Sequence, residues 1–395
     1  MGFNLFAFSR NIAILVLLLL FSALATNLTS PVWPIYVREL GASMTELGFV
    51  TGLSNAVGAI IQIPSGLVSD RYGRRRIHFL GTVAAAFPPV LYTIARSWAD
   101  LIPWVLLAGV GIGLTTPIRL AIVADESGTT QRARAYSWFN VAFLIGPTIG
   151  PSIGGLVADT YGIRASFLLA GFFMAFSSAL AFILGETRKP SGIPGVGVPR
   201  LSLSTAATRL IAVFSVNAAQ GAAMGLFTTV TPVFLTTRFS MDLTLVGFIY
   251  AVGLGLFPLL SQIPGGYLAD RFDQRSLMVV MLVASAPFFA LVSSSRNVFE
   301  LISYVSLANA ILAFSWPALS ALQVAVVPSD LWGFVNGVAT SGWWTGMMAG
   351  SMLSGIMWDT TGMGTPYYAT AVATIASAIP ALMLKPCSQP SDPDR

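Results

Sequence analysis

A chain of 395 residues that is 55% hydrophobic and only 9% charged departs so far from the quarter-charged composition of soluble proteins that it belongs in a lipid bilayer. Its net charge of +5 does not indicate nucleic acid, because the basic residues sit in short gaps between apolar runs instead of along one soluble face. One cysteine and one histidine, Cys387 and His78, exclude an internal disulfide and a His/Cys metal cluster, so neither a metal nor a cofactor is expected.

About 20 apolar residues at 1.5 Å each cross about 30 Å of hydrocarbon. On that measure twelve spans are predicted. The first six are 11–36, 45–68, 77–95, 100–123, 134–158 and 163–184, and the second six 209–235, 244–268, 276–294, 299–325, 333–358 and 365–384. Residues 11–24, following Arg10, have the pattern of a signal peptide with Ala23-Leu24-Ala25 as a cleavage site. The same apolar run continues to Tyr36 and has a counterpart in the second half, so it is read as the first span.

The Gly-, Pro- and Ser-rich stretch 185–208 reads as a linker. It separates a six-helix unit, 1–184, from a second, 209–385, which a polar tail of 386–395 follows. With both termini placed in the cytoplasm, fifteen loop and tail Arg or Lys fall inside. Only Arg38, Arg96, Arg164, Arg238 and Arg296 fall outside, as the positive-inside rule requires for a cell-membrane protein of this orientation.

The two units repeat one another. At an offset of 200, Gln62, Ile63, Pro64, Gly66, Asp70, Arg71 and Arg75 recur as Gln262, Ile263, Pro264, Gly266, Asp270, Arg271 and Arg275. The same offset matches Pro117, Gly146, Gly150, Gly155, Asp159, Thr160 and Gly162 to Pro317, Gly346, Gly350, Gly355, Asp359, Thr360 and Gly362. A register held over four spans means a duplicated unit. Six spans is an even number, so both copies share one membrane orientation, with a pseudo-two-fold axis along the membrane normal and a shared site near the midplane.

Three motifs carry a resemblance. Gly66-Leu-Val-Ser-Asp70-Arg71-Tyr-Gly73-Arg74-Arg75 is similar to a GxLaDRxGRR signature. Gly146-Pro147-Thr-Ile-Gly150-Pro151-Ser-Ile-Gly154-Gly155 fits GxxxGPxxGG, and Leu24 to Pro34 is similar to LGxxxxxPvxP. Over nearly its full length the sequence resembles the major facilitator superfamily, and within it the twelve-helix drug:proton antiporter branch. The fold class expected is therefore all-α and polytopic, two pseudo-symmetric halves of six helices. The function implied is secondary transport by alternating access, with export of small amphipathic or drug-like molecules in exchange for protons. Import or facilitation of a small organic solute, and a sensor built on a transporter fold, remain as alternatives. A monomer in lipid is expected to suffice.

Asp70 and Asp270 end spans 2 and 8, where their own helix termini are negative and a partner is needed. The resemblance implies that Asp70 docks on the start of span 11 and Asp270 on the start of span 5 when the cytoplasmic side closes. Arg71, Arg74 and Arg75, with Arg271 and Arg275 in the second copy, belong to the same gate, and the first three are expected to pair with Asp125 or Glu126. In span 5, Gly146, Gly150, Gly154 and Gly155 admit a close neighbour while Pro147 and Pro151 bend the helix. Both a packing role and a role as the seal between halves are open.

Arg119 is the one base inside a span. Such a charge snorkels, pairs or faces water. Snorkelling to the cytoplasmic interface, pairing with Asp125 or Glu126, and lining the inner half of a cavity to meet an anionic or polar substrate are all open. The superfamily's cavity helices offer Asn27, Asn55, Arg119, Asn140, Asn217, Gln220, Tyr250, Asn309, Trp316 and Trp343 here. These aromatic and neutral polar groups suit an amphipathic solute better than a polyanion or a sugar. No Asp or Glu lies deep in any span, and no Ser/His pair or paired acids lie in the membrane, so no enzyme is expected.

Overall fold

A computed structural model describes residues 10–126, 132–186, 203–325 and 332–384, with a few side chains inside the helices, that of Asp70 among them, left outside the description. Among the described residues every regular element is helical. The face on which the described chain begins and ends is called inner below, and the opposite face outer.

In the first half, span 1 is two helices, α1 (Arg10–Thr29) and α2 (Trp33–Glu39). The break falls at Ser30–Val32, where Pro31 lacks an N–H and Pro34 enters at the first turn of α2. Then come α3 (Met44–Tyr72), α4 (Arg74–Tyr92), a short 3-10 turn at Trp98–Leu101, α5 (Ile102–Glu126), α6 (Arg132–Tyr161) and α7 (Ile163–Ile183). Ser43 and Glu46 cap α3 reciprocally: the Ser43 amide donates to Glu46 Oε2 at 2.6 Å, and the Glu46 amide to Ser43 Oγ at 3.2 Å. Such a capping box satisfies two amide donors that a helix start would leave unpaired.

The second half opens with α8 (Leu203–Phe239). Its 37 residues would extend about 55 Å, well beyond the hydrocarbon. Residues 203–208, predicted as linker, are therefore helix, because apolarity marks where the membrane ends and not where the helix does. Span 8 consists of α9 (Leu243–Tyr250), a π turn at Ala251–Leu256 and α10 (Phe257–Arg271). Next are α11 (Gln274–Val292), α12 (Val298–Ala325) and α13 (Trp332–Thr361). Span 12 divides at Ser377 into α14 (Thr365–Ala376) and α15 (Ala378–Met383), since Pro380 has no N–H to continue the ladder.

Ten described helical segments are long and apolar enough to cross a membrane. α4 and α13 complete two sets of six, the first made more polar by Arg74, Arg75 and Arg76 at its start and the second by Asn, Ser, Thr and Asp359. Both halves pack by the same plan. α1 lies on α6 and α7 as α8 lies on α13 and α14; α5 lies on α3 and α4 as α12 lies on α10 and α11; α4 meets α7 as α11 meets α14. The duplication read from the sequence is thus a duplication of packing.

The halves meet along two seams, α3 against α13 and α6 against α9 and the π turn. Their shared core is on the outer side, where Val37, Met44, Leu47 and Val50 are buried together with Val230, Phe234 and Val246. Toward the inner face α10 packs on α12 and α11 of its own half.

Candidate transport site and its gates

On the inner face the motif expected to gate is stitched to its own half. Gly73, at φ 97°, occupies backbone space that favours glycine. A Cβ there would also lie 2.5 Å from Glu186 Oε2. Glu186 Oε1 accepts from the Arg74 amide at 2.9 Å and caps α4, where a negative group suits the positive end of the helix. Arg74 pairs with Asp125 at 2.5 Å, which selects one of the two acids predicted. Glu126 accepts from Asn11 Nδ2 at 2.8 Å, and Asn11 Oδ1 accepts from the Gly185 amide at 2.9 Å. Arg75 donates to the Phe182 carbonyl at 2.5 Å and lies over the Phe182 ring, whereas Arg71 lies over Tyr72. A Cβ added at Gly66 would meet open space.

The second copy of the motif replaces Gly73 by Asp273, and the structure supplies the reason. Asp273 caps α11 itself, accepting from the Ser276 amide at 2.9 Å and from Ser276 Oγ at 2.8 Å, so no carboxylate from elsewhere has to approach. Those bonds hold its carboxyl below the usual carboxylate range. Arg271 stacks on Tyr267 at 4.1 Å, Asp270 is exposed, and Arg275 Nε is enclosed without a hydrogen-bond partner. The Asp70 side chain and the first side chains of α6 and α13 lie outside the described residues, and so does the docking expected between them.

α6 packs on both sides. One row of small residues faces α1 of the same half: a Cβ on Gly146 would come within 2.7 Å of Ala23, one on Gly150 within 3.0 Å of Asn27, and one on Gly154 would overlap the Leu28 carbonyl. The row turned away from α1 faces the other half. Gly155 abuts Leu243 and Gly247, Pro151 abuts Gly247, and Pro147 and Thr148 abut Gly255 in the π turn. α13 repeats this without prolines, Gly346 and Gly350 lying on Ala218 and Ala222 of α8, and Gly355 on Met44.

At the outer rim each seam ends in a carboxylate on a helix start. Asp359, at the end of α13, accepts from the Thr45 amide and from Thr45 Oγ1, both at 2.8 Å, at the first turn of α3. Asp159, at the end of α6, accepts from Thr244 Oγ1 at 2.9 Å at the first turn of α9. Both acids cross between halves. Sequence reasoning paired them in the repeat without assigning them work, and it missed Glu186 and Asn11 as well.

The ten predicted cavity residues divide by bonding. Asn27, Asn217 and Asn309 each donate Nδ2 to the carbonyl four residues earlier at 2.8 Å, which satisfies the amide on its own helix. Tyr250 donates to the Thr228 carbonyl at 3.0 Å. Asn55 Nδ2, Arg119 Nε and Gln220 Nε2 are enclosed without a partner. Asn140 is exposed, and Trp316 and Trp343 are partly buried.

The sequence model of the Major Facilitator Superfamily matches residues 15–257 and 213–395. The chain belongs to the major facilitator superfamily. It is 26% identical over 379 residues to the multi-drug resistance efflux pump PmrA of Streptococcus pneumoniae, covering 89% of this chain and 90% of that one. It is also 26% identical over 346 residues to the class B tetracycline resistance protein of Escherichia coli, covering 84% of each. In structure it is similar to a bacterial homolog of the human lysosomal transporter Spinster, solved in an inward-facing and occupied conformation, with a TM-score of 0.74, 16% identity and 94% of each chain covered. This superfamily member is a multi-span membrane transporter, built on the two-half fold that the sequence implied.

Proposed function

We propose that this transporter exports small amphipathic molecules from the cytoplasm by alternating access, as a monomer in the cell membrane with both termini cytoplasmic. The observation that carries the reading is the seam. The halves touch through glycine-backed helix faces and through carboxylates on exposed helix starts. Exposed polar contacts of this kind are weak enough to break and re-form, so they bias a two-state rocking motion without freezing it.

With the outer contacts made, the conformation described is the one closed to the outside. Asp70 and Asp270 serve the opposite closure on the inner rim, with Arg71, Arg74, Arg75, Arg271 and Arg275 around them. The substrate is held between the halves by Asn55 and Gln220, whose amide nitrogens have no partner, together with Trp316 and Trp343. Asn27, Asn140, Asn217, Tyr250 and Asn309 line the same path. Export as the direction is supported by the names of the efflux relatives.

Protons are the proposed coupling ion, tested by loading proteoliposomes with an amphipathic dye and imposing a proton gradient. Gradient-driven accumulation against the dye's own gradient is expected, and its absence would remove antiport. The lack of any Asp or Glu deep in a span favours one second reading, a facilitator, which gives flux that ignores the gradient.

A further inference from the structure

Arg119 is the one cation inside a predicted span. Asp125 is taken by Arg74 and Glu126 by Asn11. Among the described residues no carboxylate pairs with Arg119, and its Nε is enclosed without a hydrogen-bond partner. Of the ways out for a charged residue in a membrane, pairing is not taken and snorkelling is disfavoured. The acids nearly two turns on are engaged elsewhere, Asp125 by Arg74 and Glu126 by Asn11. Snorkelling to the inner face is opposed by direction: α5 runs from the outer to the inner face, and a helical side chain leans toward its own amino terminus. The guanidinium is therefore carried toward the middle of the bilayer.

It also sits on the side of α5 opposite an exposed residue. Pro103 on the same helix is exposed, and sixteen residues at 100° each place Arg119 about 160° round from it. Arg119 itself is partly buried, and His78 on α4 lies within its electrostatic reach, wholly buried with both ring nitrogens unbonded. On α3, Gln62 is buried with both ends of its amide unpartnered. Among the described residues this half thus holds a permanent positive charge and several unused polar atoms, and pairs no carboxylate with that charge. A charge in a membrane span that is turned from lipid and left unpaired marks a ligand path.

We propose that the missing anion is the substrate's: the transporter selects amphipathic molecules that carry a carboxylate or sulfonate, and Arg119 is the residue that reads it. The inference rests on the export reading above and adds a charge to the substrate class. A planar guanidinium engages two oxygens of one such group at once, a geometry that an ammonium cannot copy.

A matched pair of probes tests this. 8-Anilinonaphthalene-1-sulfonate and N-phenyl-1-naphthylamine share one ring system and differ in the sulfonate. Their equilibrium binding is measured by fluorescence to the full-length protein in lipid nanodiscs, with empty nanodiscs subtracted, for wild type, Arg119→Lys and Arg119→Gln. The wild type should bind the sulfonate at least tenfold more tightly than the neutral probe. R119Q should bring the two affinities to within about threefold, and R119K should keep part of the preference. A wild type without preference for the sulfonate overturns the proposal, and so does a preference that survives R119Q. Export is judged separately: absence of flux for both probes, with the binding preference intact, would count against the transport reading and leave the anion site standing.

Discussion

Removing both outer carboxylates should open the outer face. Asp359 accepts two hydrogen bonds from Thr45 and Asp159 one from Thr244, each at a helix start in the opposite half. Loss of a capping side chain costs about 0.5–2 kcal/mol, and these groups are exposed, which places them toward the lower end. About 1 kcal/mol for Asp359 and about 0.5 kcal/mol for Asp159 are reasonable on that scale. The two seams are separate, so the effects add, and about 1.4 kcal/mol is a factor of ten. A population closed outside at about nine to one would fall to about one to one in Asp159→Ala/Asp359→Ala. Spin labels at Arg96→Cys and Arg296→Cys, on exposed outer positions of the two halves, report the change as a second, longer distance in pulsed dipolar spectroscopy. Cys387, the sole cysteine, is first replaced by serine. An unchanged distance distribution in the double variant would refute the role given to these acids.

Three further outcomes are expected. Gly73→Ala should lower the melting temperature, because φ 97° and the Glu186 carboxylate both resist a Cβ, whereas Gly66→Ala, which points into open space, should not; equal effects on the two would separate the motif glycines from this geometry. Asp273→Ala should destabilise by about 1 kcal/mol through the lost cap. Its folded carboxyl titrates below the ordinary value, so the stabilisation is complete above about pH 4 and fades only as the pH falls through the folded value. The melting difference from wild type should accordingly be flat between pH 5 and 8 and shrink in stronger acid. Asp70→Asn should abolish or strongly slow flux in proteoliposomes while the protein still inserts, and normal flux would remove Asp70 from the inner gate.

Much of this architecture is written locally. Apolar runs set the spans, because a bilayer demands about twenty such residues whatever their neighbours, and the offset of 200 announced the twin halves because packing constraints were copied with the sequence. The inner-rim motif was legible for the same reason: its Gly, Asp and Arg occur at fixed spacing in a chain with little charge to spare. Helix ends and breaks were less visible. Polar residues 203–208 continue a helix past the membrane, and the π turn at Ala251–Leu256 leaves no trace in hydropathy.

Which polar groups find partners was decided by the tertiary structure alone, since hydrogen bonds and ion pairs depend on distances across helices that no spacing along the chain encodes. Glu186 and Asn11 close the inner face of the first half, and Asp159 and Asp359 cross to the opposite half at the outer rim. Arg74 takes Asp125, Asn11 takes Glu126, and Arg119 is left with neither. The sequence determined that one arginine stands inside a span; only the packing around it decided that no carboxylate among the described residues would pair with it.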